Sequence, residues 1–330
     1  MTRFFHFFAL ILSISAAQIP FASAGSSSGL NIDPERITVS GVSAGAQMAH
    51  QMHIAYSDLF NGGAMIAGGP FGCAEGSLAT AMGRCVGTAD PDFSVEEQVS
   101  MIRGAAEAGQ LAPLDKLADD PVWLFHGAQD TAVAEGVSDL LAELYKQLIP
   151  GGAIVYVKDV EAGHSFPAMA QGSACTAMEA PFVADCDYDA AGILLQHLYP
   201  GLQEPPFNDT PEVTTELTTV ALPGAVDAGL SETAYLFIPP ACAGGENACA
   251  LHLVLHGCAQ SAVQVDTGFM LQSGYLPWAE ANGIVLAFPQ VVPGITNPLG
   301  CWDWWGYTGA DYLYREGKQM TVLAEWIESL

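Results

Sequence analysis

Ser43 stands in Gly41-Val42-Ser43-Ala44-Gly45, after the β-rich run Arg36 to Ser40 and before a helix-like stretch from Ala46 to Tyr56. Small residues two before and two after the serine suit a strand that turns sharply into a helix, because bulk there would collide across the bend. Such a bend holds the hydroxyl out, and the helix behind it aims its N-terminal dipole at negative charge developing there. Five residues alone would equally describe a glycine-flanked turn. The strand before and the helix after them make Ser43 a candidate nucleophile.

A serine attacks only when a base takes its proton and a third group holds that base. Val122 to Phe125 reads as a buried strand running into His126-Gly127-Ala128-Gln129-Asp130. That places Asp130 on a loop at a strand's C-terminal end, where open α/β sheets keep their sites. The strand-like Ile154 to Val157 is followed by Glu161-Ala162-Gly163-His164-Ser165-Phe166, in which His164 is the natural base. The expected roles are attack by Ser43, proton transfer by His164 and tautomer control by Asp130. His126 reads as a packing or hydrogen-bonding residue. His50, His53 and His197 lie in helix-like segments and His252 in a strand, where a structural role is expected. Asp119 and Asp120 precede a strand, and Asp185, Asp187 and Asp189 lie in a loop leading to a helix, so none has the placement of Asp130.

The elements that must position these groups come in an unusual order. Ala250 to Leu255 reads as a strand ending in His256-Gly257-Cys258-Ala259-Gln260, an H-G-x turn of the kind that donates to an oxyanion. In an ordinary α/β hydrolase that turn precedes the nucleophile; here it follows. Next come a helix-like stretch from Tyr275 to Asn282, an apolar strand from Gly283 to Pro289, and a final segment, Gly317 to Leu330, with apolar residues at helical spacing. Joined in space to Asn31 to Pro34, that last helix would lead into the nucleophile strand, so the mature ends should lie close together. The expected fold is therefore α/β: a circularly permuted α/β hydrolase with a mostly parallel central sheet flanked by helices. Pro205 to Val220 reads as the connection between the natural ends, with Ala234 to Pro239 then opening the sheet. The helix-rich Ser94 to Gly109 is placed to pack over the site.

Composition bounds the rest. Of 330 residues half are apolar, and 36 Asp and Glu against 9 Lys and Arg leave a formal charge of −27. That is too apolar for disorder, and so acidic a surface repels nucleic acid and anionic membranes. Met1 to Ala24 has a basic start, an apolar run and an Ala22-Ser23-Ala24 end, the pattern of a cleaved secretory leader. Residues 25–330 then form one catalytic domain, extracellular and without stable membrane association. Export into an oxidising compartment makes eight cysteines readable as four bridges, and neighbours in sequence suggest Cys73 with Cys85, Cys175 with Cys186, Cys242 with Cys249, and Cys258 with Cys301. Sequence alone leaves that connectivity open. No C-x-x-C occurs, so no metal site is expected. Trp302, Trp304, Trp305 and Tyr307 crowd one glycine-flanked loop; they suit an apolar ester-bearing chain, though rings of this kind are more often core.

The stretches GVSAGAQMAHQMHIAYSDLFNGGAMIAGGPFGC, HGAQD, GHSFP, LHGCAQS and GCWDWWGY, in this permuted order, resemble the secreted single-domain, fungal-type poly(3-hydroxybutyrate) depolymerases. The resemblance covers nearly all of the chain after the leader. It implies Ser43, Asp130 and His164 as a triad and the backbone N–H groups of Ala44 and Cys258 as the oxyanion hole. It also implies a crevice for a polyester strand lined by a tryptophan, with Trp302, Trp304 and Trp305 as the candidates. The expected protein is a monomeric serine esterase acting on 3-hydroxybutyrate polymer and oligomers without a cofactor. A carboxylesterase for feruloyl, acetyl or lipid esters is the alternative, and a non-catalytic adsorbing protein on the same scaffold a third reading.

Overall fold

A computed structural model describes residues 29–90, 92–206 and 216–330. The leader expected over residues 1–24 lies outside them. In chain order the first half runs β1 (Ile32–Val42), α1 (Ala44–Ala55), β2 (Gly63–Ile66), α2 (Leu78–Met82), a π-helical turn Gly83–Gly87, α3 (Val95–Glu107), β3 (Val122–Phe125), α4 (Glu135–Leu148) and β4 (Ile154–Val157). Then come β5 (Phe166–Ala168), β6 (Ser173–Ala174), β7 (Val183–Asp185) and α5 (Ala190–Leu198). The remainder is β8 (Thr218–Ala221), β9 (Thr233–Phe237), β10 (Cys249–Leu255), α6 (Ala262–Val265), α7 (Gly268–Gln272), α8 (Tyr275–Asn282), β11 (Ile284–Phe288) and α9 (Lys318–Glu328).

Eight strands form one sheet in the order β4-β3-β2-β1-β10-β11-β9-β8. Every pair from β4 to β11 is parallel; β9 joins β11, and β8 joins β9, antiparallel. The sheet is thus mostly parallel and covered by helices, and the chain enters it at a central strand, as a permuted order requires. The sheet opens one strand earlier than the sequence suggests. Thr218 to Val220, read there as part of a connection, belong to β8, a short β-branched edge strand whose polar faces hide its character.

The strands are near-continuous apolar runs because both faces are packed. From β10, Leu251, Leu253 and Leu255 enter the cluster shared with α1, α3, α4 and α9, while Ala250 and Val254 enter the one shared with α5, α7 and α8. Every residue of α1 is buried, which accounts for its lack of a polar face.

The register between β1 and β10 is pinned by polar side chains inside the sheet. Thr38 pairs with His252 and Ser40 with Val254. Tyr199 Oη donates to the Leu251 carbonyl (2.8 Å), and Thr38 Oγ1 donates to Tyr199 Oη (2.6 Å). His252 reaches Thr38 Oγ1 with Nδ1 (2.6 Å) and Ser40 Oγ with Nε2 (2.7 Å), and Tyr275 Oη lies 2.7 Å from Ser40 Oγ. Burial lowers the His252 pKa to about 3, so the ring is neutral. Its single proton then sits on Nδ1, Ser40 donates to Nε2, and Tyr275 donates to Ser40, which leaves every partner satisfied. A one-residue slip would break all of these bonds together. The nucleophile strand and the strand before the H-G-x turn are therefore held at one relative height.

Candidate active site

Ser43 sits at φ 57° and ψ −120°, a conformation that L-residues rarely adopt, between the end of β1 and the start of α1. Its N–H donates to the Ile66 carbonyl at the end of β2 (2.8 Å). The flanking glycines have separate reasons. A Cβ on Gly41 would overlap the backbone of Gly45, and a Cβ on Gly45 would overlap the carbonyls of Leu255 and His256. The first glycine closes the bend; the second lets α1 lie against the end of β10.

Ser43 Oγ lies 2.9 Å from His164 Nε2, and His164 Nδ1 lies 2.7 Å from Asp130 Oδ2. The other Asp130 oxygen accepts from the N–H groups of Ala132 (2.8 Å) and Val133 (2.9 Å). Burial works to raise the Asp130 pKa, but the His164 hydrogen bond and charge with those two N–H groups outweigh it and hold it below its ordinary value. The carboxylate is 1% exposed and the imidazole 15%, so the acid is sealed while the base keeps a face toward solvent.

The acid and base loops are laced together. Ala128 and Gln129 donate to the carbonyls of Val160 and Ala162 (2.8 and 3.0 Å), and a Cβ on Gly127 would overlap the Ala162 carbonyl. Gly163 in turn donates to the carbonyl of Cys175 (2.9 Å), the residue just after β6 in the small parallel sheet β5-β7-β6, which no local pattern announced. His126 has the expected hydrogen-bonding role: its Nε2 bonds the Val133 carbonyl at 2.9 Å, behind Asp130. His53 bonds Asp120 and Tyr145, away from Ser43, and His50 is buried against Phe71 and Tyr145.

Two backbone N–H groups in residues beside Ser43 are left without an acceptor among the described residues. In the turn after β10, Gly257 N–H donates to Gln260 Oε1 (2.6 Å) and Ala259 N–H to the Leu299 carbonyl (2.6 Å). The N–H between them, that of Cys258, has no acceptor among the described residues, and neither has that of Ala44 at the start of α1. Both residues line the crevice that holds Ser43 and His164. A buried Gln260 braces the turn by donating to the carbonyls of Pro181 (2.8 Å) and Phe182 (3.2 Å). All eight cysteines are bonded, Cys73 to Cys85, Cys175 to Cys186, Cys242 to Cys249 and Cys258 to Cys301.

The crevice encloses about 410 Å³. Leu78, Met82 and Val86 form one wall, Leu299 with Trp304 and Trp305 another. Trp302 is not part of it. It is fully buried, and its Nε1 donates to the His256 carbonyl (2.9 Å) beneath the turn, so that indole supports backbone and does not face a ligand. Nor does the helix-rich Ser94 to Gly109 border the crevice. It forms α3, whose apolar face packs toward α4, and α2 with the π-helical turn takes the position beside the site.

Sequence reasoning also missed Asp303. Its buried carboxylate accepts from the N–H groups of Gly306 (2.7 Å), Tyr307 (2.9 Å) and Thr308 (2.9 Å) and from the Thr308 hydroxyl (2.6 Å). That shapes the loop carrying Trp304 and Trp305, and an Asp three residues before a Gly was an available turn signal. Among the described residues no cluster of His, Cys, Asp and Glu could hold a metal, and no helix is long and apolar enough to cross a membrane.

No protein-family model matches the chain. A poly(3-hydroxybutyrate) depolymerase of Delftia acidovorans is 38% identical over 301 residues, 91% of this chain; the chain spans only 60% of that protein's length. A polyhydroxybutyrate depolymerase of Talaromyces funiculosus is 30% identical over 338 residues, covering 98% of this chain and 96% of that one. Among solved structures, a PHB depolymerase from Penicillium funiculosum superimposes with a TM-score of 0.84 at 30% identity, over 92% of this chain and 97% of that one. A serine-to-alanine variant of a PHB depolymerase complexed with an R3HB trimer gives a TM-score of 0.82 at 29% identity, with the same coverage.

Proposed function

Because the chain belongs to the family of polyhydroxybutyrate depolymerases, we propose that it is a secreted serine esterase that hydrolyses 3-hydroxybutyrate polyester through an acyl-enzyme. The observation that carries this reading is the run of hydrogen bonds from Ser43 through His164 to Asp130, ending beside two unpaired N–H groups in an apolar crevice. Ser43 Oγ attacks the ester carbonyl as His164 Nε2 takes its proton. Charge moves onto the carbonyl oxygen, where the N–H groups of Ala44 and Cys258 receive it; each donor contributes roughly 3 kcal/mol to the transition state. Collapse expels the alcohol end of the chain, to which His164 returns the proton. Water then repeats the sequence on the acyl-enzyme and frees Ser43. Asp130, kept ionised by its partners, holds the proton of His164 on Nδ1 so that Nε2 faces the serine.

Leu78, Met82, Val86 and Leu299 provide the apolar surface that a polyester backbone needs, with Trp304 and Trp305 as its aromatic part. Trp304 Nε1 is buried with no acceptor among the described residues. The reading includes cleavage of the leader near Ala24, one catalytic domain over residues 25–330, a monomeric state and no cofactor. It is tested by clearing of an amorphous poly(3-hydroxybutyrate) suspension beside Ser43→Ala, with products identified. Clearing that vanishes in the variant, with 3-hydroxybutyrate and its short oligomers released, supports it. Ser43-dependent hydrolysis of small esters without clearing would move the substrate to another carboxylic ester.

A further inference from the structure

We infer that His256 is a positioning residue that aims the Cys258 N–H at the reacting oxygen by holding the other end of the same peptide group. The inference rests on the reading of Cys258 as an oxyanion donor. The Gly257 carbonyl and the Cys258 N–H belong to one planar trans peptide unit, so they point in opposite directions and rotate together. His256 Nδ1 lies 2.7 Å from that Gly257 oxygen. The Val291 N–H donates to His256 Nε2 (3.2 Å), which makes Nε2 the acceptor and Nδ1 the protonated, donating nitrogen. Burial lowers the His256 pKa to about 4, in keeping with a neutral ring.

The ring itself has little freedom. It is 1% exposed, lies against Trp302 with ring centroids 5.2 Å apart, and its own carbonyl accepts from Trp302 Nε1. Fixed at Nε2 by Val291, three residues beyond β11, and at its carbonyl by the tryptophan loop, the imidazole grips one side of the Gly257–Cys258 peptide. The other side, the N–H, is left facing away from it. The turn lies directly against the elbow: a Cβ on Gly257 would be in van der Waals contact with the Val42 carbonyl (3.4 Å) and Ser43 Cβ (3.5 Å). Without the Nδ1 bond the Gly257 carbonyl would have no partner among the described residues, and the donor would lose its aim while the crevice walls stayed in place.

Two substitutions separate this role from packing. In His256→Asn the side-chain amide falls where Nδ1 stands and donates to Gly257; in His256→Gln the amide reaches the Nε2 position instead and leaves Gly257 without a donor. Hydrolysis of p-nitrophenyl butyrate by the purified protein reads kcat and KM separately, with thermal unfolding measured alongside. The expected result is a kcat about 100-fold lower in the Gln variant with KM within about twofold of the unsubstituted protein, as for removal of one oxyanion donor, and a kcat within about tenfold in the Asn variant. His256→Ala takes the place of the Gln variant where the latter does not fold. Equal loss in both variants, a better Gln than Asn variant, or a rise in KM that accounts for the loss would overturn the inference alone. Hydrolysis that persists in Ser43→Ala would overturn the nucleophile reading and this inference with it.

Discussion

Cys258 and Cys301, 43 residues apart in the chain, are joined with their Cα atoms 4.3 Å apart, and the bond ties the turn beside Ser43 to the loop carrying Trp304 and Trp305. One covalent link therefore spans a proposed oxyanion donor and the aromatic wall of the crevice. Closing a loop of this length removes chain entropy from the unfolded state worth about 4 kcal/mol. The Cys258→Ser, Cys301→Ser double variant is expected to lose 2 to 4 kcal/mol in urea unfolding, on the order of that loop-closure term. Its kcat on a soluble ester should fall more than that of a Cys242→Ser, Cys249→Ser control, whose bridge lies away from the crevice. Equal kcat in the two would separate the bridge from the site.

The backbone at Ser43 is held at positive φ, a conformation glycine adopts without a side-chain penalty. Both Ser43→Gly and Ser43→Ala should be inactive, since each lacks the hydroxyl. Their stabilities should differ nonetheless, with the glycine variant more stable than the alanine variant by about 1 kcal/mol, as relief of a strained φ outweighs glycine's extra entropy in the unfolded chain. Denaturant midpoints of the two inactive proteins measure this directly; a more stable alanine variant would contradict stored strain at the bend.

Burial lowers the pKa of three imidazoles from the ordinary 6.5: His50 to about 3, with the charge of His53 adding to the effect, His252 to about 3 and His256 to about 4. The folded protein keeps them neutral while the unfolded chain protonates near the ordinary value, so the unfolded state binds more protons as the solution is acidified. Stability should be full above pH 6.5 and fall as pH drops below it, by roughly 1.4 kcal/mol per pH unit for each imidazole. Urea unfolding at a series of pH values measures the slope. His50 makes no hydrogen bond through either ring nitrogen among the described residues, so His50→Leu should reduce that slope by about one proton. An unchanged slope would show that His50 does not contribute.

The crevice is lined by apolar and neutral side chains, with His164 its single titratable group and no Lys or Arg among the described residues that line it. A free carboxylate on a chain end would find no cation there, and the chain's net charge of −27 opposes its approach. The methyl ester of a 3-hydroxybutyrate trimer should therefore be hydrolysed with kcat/KM about tenfold or more above that of the trimer acid, the gap narrowing at high salt. Equal values at low salt would mean that charge plays no part in substrate choice.

Much of the site is written locally. A bend from strand to helix needs glycine at Gly41 and Gly45, and a loop leaving the end of a parallel strand presents its first polar residues to the crevice, so Ser43, Asp130 and His164 stand out in the linear text. The permuted strand order was legible for the same reason: each apolar run and the turn after it carry their own signature. What stayed hidden depends on which side of an element meets which neighbour. Trp302, Trp304 and Trp305 are alike in the sequence, yet one indole is drawn under the turn by the His256 carbonyl while the other two face the crevice. The edge strand β8 has too few apolar residues to announce itself. The wall built from Leu78, Met82 and Val86 comes from a short helix and a π-helical turn with no period to read. The direction of the Cys258 N–H is set by His256, Val291 and Trp302, which only the folded chain assembles. Local bends and strand ends follow from backbone sterics and short-range pattern, whereas the crevice follows from contacts between distant segments, and those exist only once the sheet has closed.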